Sequence, residues 1–156
     1  MKKKIVAVLL TAVMAMGLAA CGSGTDAGAD ANTDDAKVYK VGIIQFVDDA
    51  SLNQIEKNIE TELDKKGKEL GVTFDYADYT FNGQADATTL NQITTQLISD
   101  EVDVIIPIAT PTAQIVQAAT EDNPIPVVFS AVSDPVGASL VASMDAPGSN
   151  IKGTSD

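Results

Sequence analysis

The segment Ile108-Ala109-Thr110-Pro111-Thr112-Ala113-Gln114 sets two hydroxyl side chains around a proline where an apolar run gives way to a helical period. Thr110 suits an N-cap and Pro111 suits the first helical position, so the amides that follow emerge from a helix N-terminus. Amides without partners, together with the helix dipole, favour a carboxylate or a phosphate. A simpler role for Thr110, capping its helix and nothing more, stays open. A second polar group ends another apolar run, in Phe129-Ser130-Ala131-Val132-Ser133-Asp134-Pro135-Val136-Gly137. Asp134 either meets a ligand ammonium or caps a helix opened by Pro135. Asp48 and Asp49 form an acidic pair like that of phosphoryl-accepting receiver domains. Those domains need a third aspartate where this chain has Ala109-Thr110, and the export signal described below also argues against them.

Most catalytic chemistry is excluded by composition. The chain has no histidine and one cysteine, which removes the usual transition-metal sets and nucleophile–base pairs. It contains no Gly-x-Ser-x-Gly elbow and no dinucleotide fingerprint, so an exported enzyme on this scaffold lacks its machinery, and no cofactor is expected. With 22 acidic and 10 basic residues the net charge is -12. Phosphate backbones need clustered cations, so nucleic acid is not a partner.

The first twenty residues form a targeting segment. Lys2, Lys3 and Lys4 precede an apolar stretch, Ile5 to Leu18, and Leu18-Ala19-Ala20-Cys21 closes it. The stretch is about 14 residues long, short of the roughly 20 that span a bilayer. The closing quartet resembles the bacterial lipobox, which implies cleavage before Cys21 and a lipid on its thiol. No second cysteine is present to form a disulfide. Loss of residues 1–20 removes three lysines and no acid, moving the net charge from -12 to -15. Residues 21–37 are small and polar or acidic, without a large apolar residue before Val38, and read as a flexible tether.

Strands and helices then alternate. Val38 to Phe46 has the composition of a strand buried on both faces. Leu52, Ile55, Ile59, Leu63 and Leu70 recur at helical spacing up to Gly71, a C-terminal stop. A more polar strand covers Val72 to Tyr79. Leu90, Ile93, Leu97 and Ile98 mark a helix capped at Asp86 or Thr88. Val102 to Ile108 is the most hydrophobic strand and therefore central. A helix follows from Pro111, with Ile115, Val116 and Ala119 on one side. Ile125 to Phe129 supplies a fourth strand, and a short helix after Pro135 and a fifth strand near Ile151 complete the pattern. This alternation specifies an α/β, doubly wound, mostly parallel five-stranded sheet of the Rossmann or flavodoxin-like kind. Ligands of such sheets sit beyond the carboxyl ends of the strands where strand order reverses. The candidate contacts are therefore Gln45, Asn82, Thr110, Thr112, Ser130 and Asp134.

Several ordered motifs make a further comparison possible. Asn82-Gly83-Gln84-Ala85-Asp86, Val102-Asp103-Val104-Ile105-Ile106 leading to Ala109-Thr110-Pro111-Thr112-Ala113-Gln114, and Pro126-Val127-Val128-Phe129 occur in that order. Ser133-Asp134-Pro135-Val136-Gly137 and Pro147-Gly148-Ser149-Asn150-Ile151 follow. From about Val41 to Asp156 the chain resembles ABC-transporter substrate-binding lipoproteins of the tryptophan/tyrosine-binding type. The resemblance implies a type I periplasmic-binding-protein fold, in which two α/β lobes close over a solute. It further implies an aromatic or hydrophobic amino acid as solute, delivery to a permease powered by an ATPase subunit, and a place outside the cytoplasm on a lipid anchor. On that basis residues 38–156 are the N-terminal lobe, and a second lobe is expected to follow. The chain departs from the family pattern after the first strand, where Asp49-Ala50 stands in place of a His-Pro pair. A membrane-anchored sensor that binds a ligand without transporting it would use the same lobe.

Overall fold

The computed structural model describes residues 36–123 and 125–155, so the targeting segment, Cys21 and the tether up to residue 35 lie outside the described residues. The chain starts with strand β1, Val38–Gln45, whose residues from Val41 onward are all buried. Its side chains alternate between two layers. Val41 and Ile43 join Ile106 and Ile108 beneath helix α1 (Ala50–Leu70), while Ile44 enters the larger core on the opposite face.

Asp49 accepts the amides of Ser51 and Leu52 at 2.8 and 3.4 Å and so caps α1. The helix ends at Gly71, whose φ of 68° is the left-handed conformation that glycine adopts at little cost. Leu52, Ile55, Ile59 and Leu63 pack on the sheet. Leu70, expected to extend this stripe, is 65% exposed, and the last turn packs instead through the buried Gly67, beside Val72 and Phe74.

The second strand departs from expectation. It divides into β2 (Thr73–Asp75), a 3-10 turn (Ala77–Tyr79) and β3 (Thr80–Asn82). Tyr76 adopts helical angles at the break, and Thr80 donates its hydroxyl to the Tyr76 carbonyl at 2.9 Å, which stabilises the turn. Both short strands pair with β1, β2 along Val38–Lys40 and β3 along Ile43–Gln45, so together they fill one strand position.

Helix α2 (Ala87–Ser99) starts from Asp86, which accepts the Thr89 amide at 2.7 Å. Strand β4 (Val104–Ile108) leads to α3 (Thr110–Ala119), and β5 (Val127–Phe129) and β6 (Ile151–Gly153) follow. Leu90 and Leu97 of α2 and Ala113 and Val116 of α3 pack with Ile105, Val127 and Phe129 on the face opposite α1. Each fully buried Leu, Ile, Val or Phe contributes about 1.5–3 kcal/mol, which makes this two-faced burial the main source of stability. Gly42 permits the close approach, since a Cβ there would lie 2.7 Å from a Leu97 methyl.

Every strand pairing is parallel, in the order β2-β1-β4-β5-β6, with β3 beside β2 on β1. Strand order therefore reverses between β1 and β4. The segment after Pro135, expected as a helix, is a series of turns. Ser139 at φ 60° interrupts helical geometry there. Gln114 and Gln117 of α3 instead hold the carbonyls of Ala138, Ser139 and Leu140 at 3.1–3.2 Å.

Candidate functional site

Parallel registration brings the carboxyl ends of four strands into one row. Gln45 lies opposite Asn82 on one side and Ile108 on the other, and Ile108 bridges to Ser130. Backbone bonds tie the loops beyond this row together. Gly83 and Ala85 donate to the Gln45 and Phe46 carbonyls at 2.8 Å, and Ala109 donates to the Ser130 carbonyl at 3.0 Å. Three of these loops hold the chain in strained conformations. Gln84, Ala85, Ala109 and Ala131 all have positive φ, between 53° and 82°. Strain outside glycine persists where surrounding structure enforces it, and it gathers at ligand sites.

Helix α3 differs from the two helices before it at its N-terminus. Asp49 and Asp86 cap α1 and α2 with their carboxylates, but the N-cap of α3 is Ala109, and among the described residues no side chain caps it. The expectation that Thr110 is the cap is thereby corrected. Thr110 sits within the helix, half-buried, because the φ of 82° and ψ of 153° at Ala109 move the helix start back by one residue. Thr112 is fully buried, and its hydroxyl has no hydrogen-bond partner among the described residues. A buried hydroxyl left unpaired costs about 1–3 kcal/mol, so a cost of that size is maintained next to uncapped amides.

The remaining candidates divide into two groups. Gln45 is 3% exposed and accepts from the Asn82 amide at 3.5 Å, so these two are held together. Ser130 is half-buried at the end of β5, in the same row. Asp134 lies beyond that row on an exposed turn and accepts the Gly137 amide at 2.8 Å. This contact is the capping alternative, although it caps a turn rather than a helix. The Asp86 carboxyl, next to the β3 loop, is held below its ordinary range, first by the Thr89 amide.

An apolar groove on the α1 face also touches Ser130, but Ile59, Leu63, Ile106, Val128 and Phe129 form most of its wall. Glu62, Lys66 and Thr154 complete the wall, and a lining so largely apolar suits hydrocarbon, whereas the strand-end row and the α3 amides better serve an anionic head group. Asp48 and Asn53 were missed as neighbours of the row. Asn53 accepts from Gln45 at 2.6 Å and donates to Asp48 at 2.8 Å. An amide side chain terminating an otherwise apolar strand was the available signal, because a buried amide requires partners.

Comparison with known proteins adds an independent line. Residues 40–156 match the family described as ABC transporter substrate binding protein. A tyrosine-binding protein of Clostridioides difficile (strain R20291) is 36% identical over 160 residues, covering 99% of this chain and 45% of that protein. An ABC domain from Streptococcus pneumoniae solved with L-Trp superposes with a TM-score of 0.67 at 36% identity, covering 77% of this chain and 39% of its own. The ligand-free, open form of a substrate-binding protein with adhesive properties from Clostridium difficile gives a TM-score of 0.65 at 38% identity, with 76% and 39% coverage. The chain thus spans less than half the length of each of these relatives.

Proposed function

Because this chain belongs to the ABC transporter substrate-binding protein family, we propose that it captures an aromatic amino acid outside the cytoplasm and hands it, chemically unchanged, to an ABC permease with its ATPase subunit. One observation carries the binding part of this proposal. The uncapped N-terminus of α3, with the unpartnered Thr112 hydroxyl buried in its first turn, stands at the reversal of strand order. Two donors and a helix dipole there suit the solute carboxylate. Thr110 and Thr112 supply hydroxyls to it, and Gln45, Asn82 and Ser130 line the adjoining row. Asp134 or a group from the opposing lobe receives the ammonium. The aromatic class is supported by the L-Trp and tyrosine named for two relatives. Their additional length supports a second lobe as the other wall of the cleft.

Calorimetry on the full-length protein tests the proposal. Saturable binding of L-Trp, L-Tyr or L-Phe is expected, without binding of L-Ala, and silence toward all three aromatic amino acids would remove this function. We further propose that Cys21 bears the lipid anchor. Cells fed radioactive fatty acid should label the protein, and Cys21→Ala should abolish both the label and recovery with membranes. Equal labelling of that variant would disprove the anchor.

A further inference from the structure

Four side chains and one backbone amide form a continuous hydrogen-bond chain across the carboxyl end of β1. Gln84 donates its backbone amide to Asn82 Oδ1 at 2.8 Å, and Asn82 Nδ2 donates to Gln45 Oε1 at 3.5 Å. Gln45 Nε2 donates to Asn53 Oδ1 at 2.6 Å, and Asn53 Nδ2 donates to Asp48 Oδ1 at 2.8 Å. The two ends of the chain determine its sense. An ionised carboxylate only accepts and a backbone N–H only donates, so each of the three amides between them has one allowed orientation. Turning any one over would set oxygen against oxygen or N–H against N–H. Gln45 is the buried link, 3% exposed, and an unsatisfied amide at that depth is penalised. Asn82 is half-buried, and its second N–H is the donor left over at the rim of the strand-end row.

We propose that Asp48 and Asn53 are positioning residues for the solute site, the carboxylate of Asp48 imposing through Asn53 the orientation in which Gln45 and Asn82 meet the solute. This proposal rests on the solute-binding function assigned to the same strand ends. Neither residue needs to touch the solute. What matters is that a group able only to accept stands behind the chain. In Asp48→Asn the end group can donate as well as accept, so the Asn53 amide is free to turn, and the sense of Gln45 then rests only on the Gln84 amide acting through the long 3.5 Å Asn82–Gln45 contact. Adding Asn53→Asp places an acceptor-only group directly against Gln45 Nε2 and should restore the original sense.

The test uses the full-length protein in three forms: parent, Asp48→Asn, and Asp48→Asn with Asn53→Asp. Affinity for L-Trp and L-Tyr is measured by calorimetry, and the Gln45 side-chain NH2 resonances by nitrogen-edited NMR without ligand. The parent and the double variant should each give one Gln45 resonance pair and similar affinity. Asp48→Asn should give broadened or doubled Gln45 resonances and bind about tenfold more weakly, at an unchanged melting temperature. Parent-like affinity with a single Gln45 pair in Asp48→Asn overturns the proposal, and so does weak binding that persists in the double variant, which would mean that Asp48 contacts the solute itself. If the parent binds no aromatic amino acid, the functional assignment fails instead, and the Gln45 resonances still decide whether Asp48 sets the orientation.

Discussion

Thr112→Val should raise the stability of the ligand-free protein and lower its affinity for solute. The hydroxyl is fully buried without a partner among the described residues, so replacing it by a methyl of nearly the same shape removes an unmet polar group. The expected gain is about 1–3 kcal/mol in the absence of solute. In the proposed complex the same hydroxyl donates a hydrogen bond to the solute carboxylate, an interaction worth roughly 1.5–3 kcal/mol. Its loss should weaken binding by about ten- to a hundredfold. Thr110→Ala is the informative companion. Thr110 lies inside α3 rather than at its N-cap, so the variant should melt close to the parent while binding more weakly. Denaturant unfolding without ligand and calorimetry with L-Trp and L-Tyr measure both quantities. A Thr112→Val protein that is less stable and binds as tightly as the parent would show that the hydroxyl serves packing alone.

At position 109, stability should fall in the order Gly, Ala, Val. Ala109 is held at φ 82° and ψ 153°, a region populated almost only by glycine, which costs about 1–3 kcal/mol for a residue with a Cβ. Its amide donates to the Ser130 carbonyl at 3.0 Å, and that bond, with the start of α3, keeps the residue there. Ala109→Gly removes the strain, set against roughly 0.5–1 kcal/mol of added chain entropy, for a net gain of about 1 kcal/mol. Ala109→Val sets a β-branched side chain in the same conformation and should cost about 3 kcal/mol or more. Urea midpoints at fixed protein concentration give the comparison. A glycine variant less stable than the parent would mean that the strain has been overestimated and that the Ala109 methyl packs usefully.

Much of the fold was legible because its signals are local and periodic. The apolar residues from Val41 to Ile44 could only form a strand covered on both faces, and Leu52, Ile55, Ile59 and Leu63 could only form one buried helical stripe. Gly71 marked the end of α1, and Asp86 marked the start of α2. Local signals were weaker where two structures compete at similar cost. The polar run through Asp75 and Tyr76 has the composition of an edge strand, yet a turn closed by Thr80 divides it. Pro135 looked like a helix start, but Ser139 and the two glutamines of α3 hold that segment in turns. The strand-end row was foreseeable in outline, since parallel topology places ligands at strand ends whatever their residues.

By itself, the sequence determined the α/β class, the order of the main strands and of the three helices α1 to α3, and the family, because patterning and caps are properties of neighbours along the chain. The tertiary structure alone decided that Ala109 begins α3 in a strained conformation, that the Thr112 hydroxyl is buried without a partner, and that Asp48 reaches Gln45 through Asn53. These facts depend on which strand lies beside which and on how closely α1 and α3 approach the sheet. Hydrogen bonding and burial are settled by that spatial proximity, which spacing along the chain does not encode.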